Sequence, residues 1–319
     1  MPDVAGVVRV VGVDEFGGPE ALKVFEVAER HAGPGEVRIR VHAAAVNPTD
    51  TYTRNGGRAE MLKAFPPPYV AGMDVAGVVD EIGDDVATGL AIGDRVMAIV
   101  VPSGGHGGYS SSLVLSAASV TRAPAGSSHA EASTLPMNGL TARLTLDLLA
   151  LAPGQTLAVT GAAGAYGGYV VQLAKADGLR VLADASEADE ALVHSLGADV
   201  VVRRGDDVAD RFLEYAPGGV DALADGAVQN ELVFAAIRDG GGYATVRGYT
   251  GELPRGIVNH PVWVRTYALE WAKLDRLREQ AESGAVSLRV ARTFPADQAG
   301  DAQRLLEAGG VRGRLVLEF

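Results

Sequence analysis

Residues Thr156–Gly178 read TLAVTGAAGAYGGYVVQLAKADG. A short apolar run, Leu157–Val159, enters a turn through Gly161-Ala162-Ala163-Gly164-Ala165-Tyr166-Gly167. The chain then continues with Val170, Val171, Leu173 and Ala174 at helical spacing. A buried strand, a glycine turn and a helix in that order are what a dinucleotide requires. Gly164 lets the backbone approach a pyrophosphate, and Gly167 lets the helix sit tightly on the strand. The helix N-terminus, at Ala165 and Tyr166, offers free N–H groups and a partial positive charge. With Gly 41 among 319 residues such spacings also arise by chance, so the surrounding pattern has to decide.

It does. Downstream, strand-like and helix-like segments alternate: Arg180–Ala183, Glu187–Leu196, Val200–Val202, Val208–Tyr215, Val220–Ala224, Asn230–Arg238 and Tyr243–Val246. This β–α alternation predicts a doubly wound parallel sheet, with the glycine turn after its first strand. Upstream, Leu140, Leu144, Leu148 and Leu149 form a helix that Pro153-Gly154 ends. Before that helix the texture is different. Val7–Val11, Val37–Val41, Val75–Val79 and Val96–Val101 are short strands punctuated by glycine and proline. They predict a partly closed β-barrel. After residue 260 an amphipathic helix spans Leu269–Ser283 with Leu274 and Leu277 inward. Strand-like Leu288–Val290, a helix over Ala296–Ala308 and a closing strand Leu315–Leu317 come after it. The expected division is therefore α/β, with 1–124 as a barrel, 125–260 as a nucleotide domain and 261–319 returning to the barrel.

Composition narrows the function. A formal charge of −12 argues against nucleic-acid or anionic-membrane partners. The absence of Cys excludes disulfides, thiolate catalysis and zinc sites with sulfur ligands. No signal peptide or membrane-spanning apolar run is visible, so a cytoplasmic enzyme is the default expectation.

Several motifs recur in one order along the whole chain. They are Phe16-Gly17-Gly18-Pro19-Glu20, Pro34-Gly35-Glu36-Val37, Asn47-Pro48-Thr49-Asp50-Thr51-Tyr52 and Gly72-Met73-Asp74-Val75-Ala76-Gly77-Val78-Val79. Gly93-Asp94-Arg95-Val96, Leu135-Pro136 with Gly139-Leu140-Thr141-Ala142, the glycine turn, Thr293-Phe294-Pro295 and Gly309-Gly310 complete the set. In these the chain resembles the zinc-independent, zeta-crystallin-like quinone oxidoreductases of the medium-chain dehydrogenase/reductase family. The resemblance implies a GroES-like catalytic domain around a Rossmann domain, commonly a homodimer, and NADPH-dependent reduction of quinones or α,β-unsaturated carbonyls. The zinc branch carries Cys in the loop at Pro48–Asp50 and His after Gly72. Here Pro48-Thr49-Asp50 and Met73-Asp74 stand instead, so no metal is expected.

The resemblance also assigns roles. Tyr52, expected in a polar loop, faces nicotinamide and substrate, where its phenol donates to a developing enolate oxygen. Asn47 holds the nicotinamide side of the cofactor, Thr141 its carboxamide, and Gly248-Tyr249 supplies backbone to the same group. On the residues alone, Asn47 also passes for a turn former, Thr141 for a helical Thr bonded to its own backbone, and Tyr52 for a loop plug. His106, in Ser103–Gly108, reads as a solvated loop histidine.

Cofactor choice is divided. Asp184 at the tip of Arg180–Asp184 suits a ribose hydroxyl and repels a 2′-phosphate. Arg203 and Arg204, with Ser186, suit that phosphate. The balance tips to NADPH over NADH. An enoyl-thioester reductase and a non-catalytic NAD(P)H-binding sensor remain as alternatives.

Overall fold

The computed structural model describes residues 6–319, so the first five residues of the expected barrel segment lie outside the described residues. The chain divides into two compact units. One comprises the chain up to Met137 with Arg265–Glu282 and Leu288–Phe319; the other comprises Asn138–Val264 with Ser283–Ser287.

The first unit is built from β1 (Val7–Val13), β2 (Lys23–Ala28), β3 (Glu36–Ala45), α1 (Pro48–Asn55), α2 (Ala59–Leu62) and β4 (Tyr69–Val70). It continues with β5 (Asp74–Ile82), β6 (Arg95–Ile99), β7 (Ser112–Ser116), β8 (Val120–Arg122) and α3 (His129–Ser133). The helix α4 (Pro136–Leu149) comes next, and the second unit then supplies β9 (Thr156–Thr160), α5 (Ala165–Ala176), β10 (Arg180–Ala185) and α6 (Glu190–Ser195). After these stand β11 (Val200–Arg203), α7 (Val208–Tyr215), β12 (Val220–Asp225), β13 (Ile237–Thr245) and β14 (Val258–Pro261). The tail holds α8 (Trp271–Glu282), β15 (Val290–Pro295), α9 (Ala299–Ala308) and β16 (Arg314–Glu318).

In the first unit, one sheet runs β15-β16-β3-β5-β6-β8 with β7 also on β3, and a smaller one runs β2-β1-β4. Alternation places Val37, Ile39 and Val41 of β3 inside, with Val75 and Val79 of β5, around Tyr109. In the tail, β16 pairs antiparallel with β3 and parallel with β15. Leu274 and Leu277 of α8 are buried as their spacing requires.

In the second unit six strands lie in the order β11-β10-β9-β12-β13-β14, every neighbouring pair parallel. This is the Rossmann order, which reverses between β9 and β12. Its strands β9 and β10 are almost wholly buried, which accounts for their continuous apolar runs.

Three segments differ from the pattern reading. Asn230–Ala236 is a 3₁₀ helix rather than an α-helix, because β13 already begins at Ile237. Glu187–Leu196 splits into a 3₁₀ turn at Glu187–Asp189 and α6. The alternation also runs one strand further, to β14, whose Val-Asn-His-Pro sequence suits an edge rather than a core. Among the described residues no helix is long and apolar enough to cross a membrane.

Candidate active site

The glycine turn stands at the C-terminal end of β9, with Gly164 as the N-cap of α5. Gly161 takes φ +66, which favours glycine. Gly167 packs so tightly that an added Cβ would overlap the Gly161 carbonyl oxygen and lie 2.9 Å from Ala162 Cα. Gly164 is roomier, with only Gly161 O, at 3.1 Å, near a hypothetical Cβ. The first amides of α5 have no partner within the helix, so the turn keeps donors for an anion. A dinucleotide fits these features.

The other candidates of this unit gather around the turn in two groups. Tyr166 hydroxyl lies 2.8 Å from Thr145 Oγ1, which donates to the Thr141 carbonyl. Burial pushes the Tyr166 phenol well above its ordinary pKa. The second group is Asp184, Ser186 and Arg204, at the ends of β10 and β11. Asp184 is buried and accepts from Ala162 N at 3.2 Å, so its carboxylate faces the underside of the turn. Burial pushes that carboxyl up to about 6, against the turn amides and Arg204. Ser186 donates to Asp189, and Arg203 pairs with Glu187 at 3.2 Å. Asp207 pairs with Arg211. Arg204 is exposed and has no ion-pair partner among the described residues. Gly248 follows β13 with φ +71. Tyr249 turns its hydroxyl to Glu231 and packs its ring on Phe234 and Tyr243, leaving backbone as what this segment can present.

Asp225, at the end of β12, was not singled out by sequence. It is fully buried and accepts from Thr160 Oγ1 at 2.6 Å, Asn230 N at 2.8 Å and Tyr243 hydroxyl at 2.8 Å. It thereby fixes the loops where the strand order reverses.

In the first unit, the segment carrying Tyr52 is the helix α1 and not a loop. Asn47-Pro48-Thr49-Asp50 is a helix start: Asn47 is the N-cap, Pro48 opens the first turn, and Asp50 accepts from Asn47 N at 2.8 Å. Tyr52 is half-buried on this helix. Asn47 is fully buried. Its Nδ2 donates to Ala45 O at 3.2 Å and Asp74 Oδ2 at 2.9 Å, while its Oδ1 accepts from Arg314 Nη2 at 2.7 Å.

The two carboxylates near the places of a zinc ligand set are fully engaged. Asp50 takes Asn47 N, Gly72 N at 3.1 Å and Tyr109 hydroxyl at 2.9 Å; burial pushes its carboxyl up to about 6 all the same. Asp74 takes Met137 N, Asn47 and Arg314, the last at 3.1 Å; burial raises its pKa and the Arg314 charge opposes that rise. Oxygens already holding three donors are poor metal ligands, and neither Asn47 nor Met73 replaces a thiolate or an imidazole. The residues present do not fit a catalytic zinc ion.

Comparison with known proteins decides the family. Residues 33–125 match the alcohol dehydrogenase GroES-like domain, and residues 196–317 match the zinc-binding dehydrogenase family. A quinone oxidoreductase of Rattus norvegicus is 30% identical over 97% of this chain and 97% of its own length. The chain belongs to the quinone oxidoreductase family of the medium-chain dehydrogenases/reductases. A chloroplastic quinone oxidoreductase of Triphysaria versicolor is 38% identical over 61% of this chain and 60% of its own. A mitochondrial NAD(P)H oxidoreductase of Mus musculus is 30% identical over 96% and 87%. The solved quinone oxidoreductase of Coxiella burnetii superposes with a TM-score of 0.86 at 27% identity, covering 98% of this chain and 100% of the other. The medium-chain dehydrogenase fold and the oxidoreductase class are thereby shown. For a quinone oxidoreductase the Rossmann unit carries the expected turn, and the GroES-like unit carries Asn47 and Tyr52.

Proposed function

We propose that this chain reduces quinones or α,β-unsaturated carbonyls with NADPH and without a metal. The observation that carries the reading is the saturated Asn47–Asp50–Asp74–Arg314 cluster where zinc-dependent members need open ligands. Without a Lewis acid to polarise an ordinary alcohol or carbonyl, the substrate has to bring its own electrophilic carbon. Quinones and enones do so. The cofactor, when bound, supplies the hydride.

The chain's own residues do the rest. The turn at Gly164–Gly167 and the start of α5 bind the cofactor phosphates, and Arg204 meets the 2′-phosphate. Thr141 orients the nicotinamide end, while Asn47, its amide spent on Ala45, Asp74 and Arg314, anchors the start of the helix that carries Tyr52. Tyr52 donates from its hydroxyl to the oxygen that gains charge. The similarity to a 2-methylene-furan-3-one reductase of Solanum lycopersicum, 29% identical over 95% of this chain and 77% of its own, supports the enone half of the reading.

The test is the loss of reduced-nicotinamide absorbance with panels of quinones, enones and enoyl thioesters, before and after exhaustive chelation. Chelator-resistant turnover of quinones or enones is the expected result. Turnover confined to thioesters, or lost on chelation with release of stoichiometric zinc, overturns it.

A further inference from the structure

An open cavity of about 460 Å³ lies in the Rossmann unit, away from the glycine turn. Leu213, Pro217, Ala235 and Ile237 give it an apolar wall, and Arg238 and Arg255 stand beside them. Ile237 opens β13, and Arg255 comes just before β14. Every neighbouring pair in this sheet is parallel, so these N-terminal strand ends face the edge opposite the turn that follows β9. The strand β12 runs from one edge to the other over six residues, roughly 17–20 Å.

Direct contacts fix both guanidinium groups. Arg255 Nη2 donates to the Phe234 and Ile237 carbonyls at 2.7 and 2.6 Å, and its Nε lies 3.1 Å from Asp239 Oδ1. Arg238 Nε donates to Asp221 Oδ1 at 3.0 Å, and its Nη1 to the Asp239 carbonyl at 3.3 Å. The two arginines therefore meet at Asp239, on the wall of one cavity. Arg255 is also held in the left-handed region, at φ +52, where residues with side chains are uncommon. Gly240 N pins it there by donating to its carbonyl at 3.0 Å.

These bonds leave Arg255 Nη1 and Arg238 Nη2 without an acceptor among the described residues. Neither arginine is neutralised by a dedicated carboxylate. The Asp239 side chain is 83% exposed, so water screens its pairing with Arg255. Asp221 divides its oxygens among Arg238, Gln155 Nε2 and Thr156 N. Two free guanidinium edges held side by side suit the two oxygens of a carboxylate. The apolar wall suits a hydrocarbon body, and the volume falls within the range of small-molecule sites, roughly 300–1,000 Å³.

We propose that this cavity binds a small amphiphilic carboxylate, an apolar body bearing one carboxylate, at a site separate from the cofactor turn. The inference goes beyond the reductase reading and does not depend on it.

The experiment is calorimetric titration of the full chain with 3-phenylpropanoate and with 3-phenylpropanamide, which differ in charge. Each titration is run with and without saturating NADPH. The acid should bind about tenfold more tightly than the amide, the scale of one charge-assisted bond. Saturating NADPH should leave that affinity within about twofold, because the two sites lie at opposite strand ends. Arg238→Gln and Arg255→Gln should each narrow the acid-to-amide ratio about fivefold or more. Both arginines also brace the fold, so a second pair of variants locates the site independently. Ala235 is exposed on its 3₁₀ helix and tolerates replacement. Ala235→Glu adds a competing carboxylate to the wall, whereas Ala235→Gln adds the same bulk without charge. The acid should bind Ala235→Glu about fivefold or more weakly than Ala235→Gln. No saturable binding of the acid, or an acid no tighter than the amide, overturns the site. So does equal affinity in the two Ala235 variants, or displacement of the acid by NADPH, which would place it at the cofactor site.

Discussion

Replacing Gly164 by Val separates the two duties of the glycine turn. Gly164 has φ −69 and ψ 174, an extended conformation that a β-branched residue adopts without strain. Its new Cβ would meet one atom, Gly161 O at 3.1 Å, which asks the turn to give by a few tenths of an ångström. The fold should lose less than about 1 kcal/mol. The same branched side chain fills the space above the α5 N-terminus, where the cofactor phosphates are proposed to lie. Losing one charge-assisted bond from a turn amide costs ~1.5–3 kcal/mol, so the dissociation constant for NADPH should rise about tenfold to a hundredfold. Gly167→Ala is the contrasting variant. Its Cβ would overlap Gly161 O and press on Ala162 Cα, all backbone, so stability should fall by ~1–3 kcal/mol or more. Urea unfolding and fluorescence titration with NADPH read both quantities. If Gly164→Val binds NADPH within about threefold of wild type, under ~1 kcal/mol, the turn is not the phosphate site.

Tyr52→Phe keeps the ring, so the melting temperature should hold while kcat falls, by less than the ~100-fold lost with a fully enclosed donor; unchanged kcat on both quinones and enones returns Tyr52 to packing. Arg204→Ala should lower the NADPH-to-NADH ratio of kcat/KM about tenfold, one charge-assisted bond, whereas a wild type that prefers NADH until Asp184→Ala is made would reverse the assignment. Arg314→Met leaves Asp74 buried beside no cation and should cost ~3–5 kcal/mol near pH 8. The loss should shrink toward pH 5, because burial has already raised the Asp74 pKa and removal of the opposing Arg314 charge lets the folded state take up a proton that the unfolded chain still lacks. Urea midpoints that fall equally at both pH values would show that Asp74 is not the source.

The range of each interaction determines whether the sequence shows it or hides it. The Rossmann strands are readable because burial on both faces demands unbroken apolar runs, and Gly167 because no other residue fits against Gly161. The helix α1 is hidden because an Asn-Pro start with an acidic residue three positions on signals both a turn and a capped helix, and most of the helix itself is polar. The strand β14 is hidden because an edge with Pro261 needs no apolar alternation. Asp74 is visible as an acid in an apolar stretch, but its cation is not. Arg314 lies 240 positions away, with nothing local to mark it.

That separation bears on the order in which the protein is made. Strand β16 sits inside its sheet, between β15 and β3, and brings Arg314 to Asn47 from 267 positions downstream. As the chain emerges from the ribosome, β3 and β5 appear early, with Asn47 and Asp74 beside them and no guanidinium to satisfy either. The Rossmann segment from Asn138 to Val264 is synthesised in the interval, and its strands need only one another. Every strand of the second unit's sheet is therefore made before β16, the strand that the GroES-like unit's sheet holds between β15 and β3.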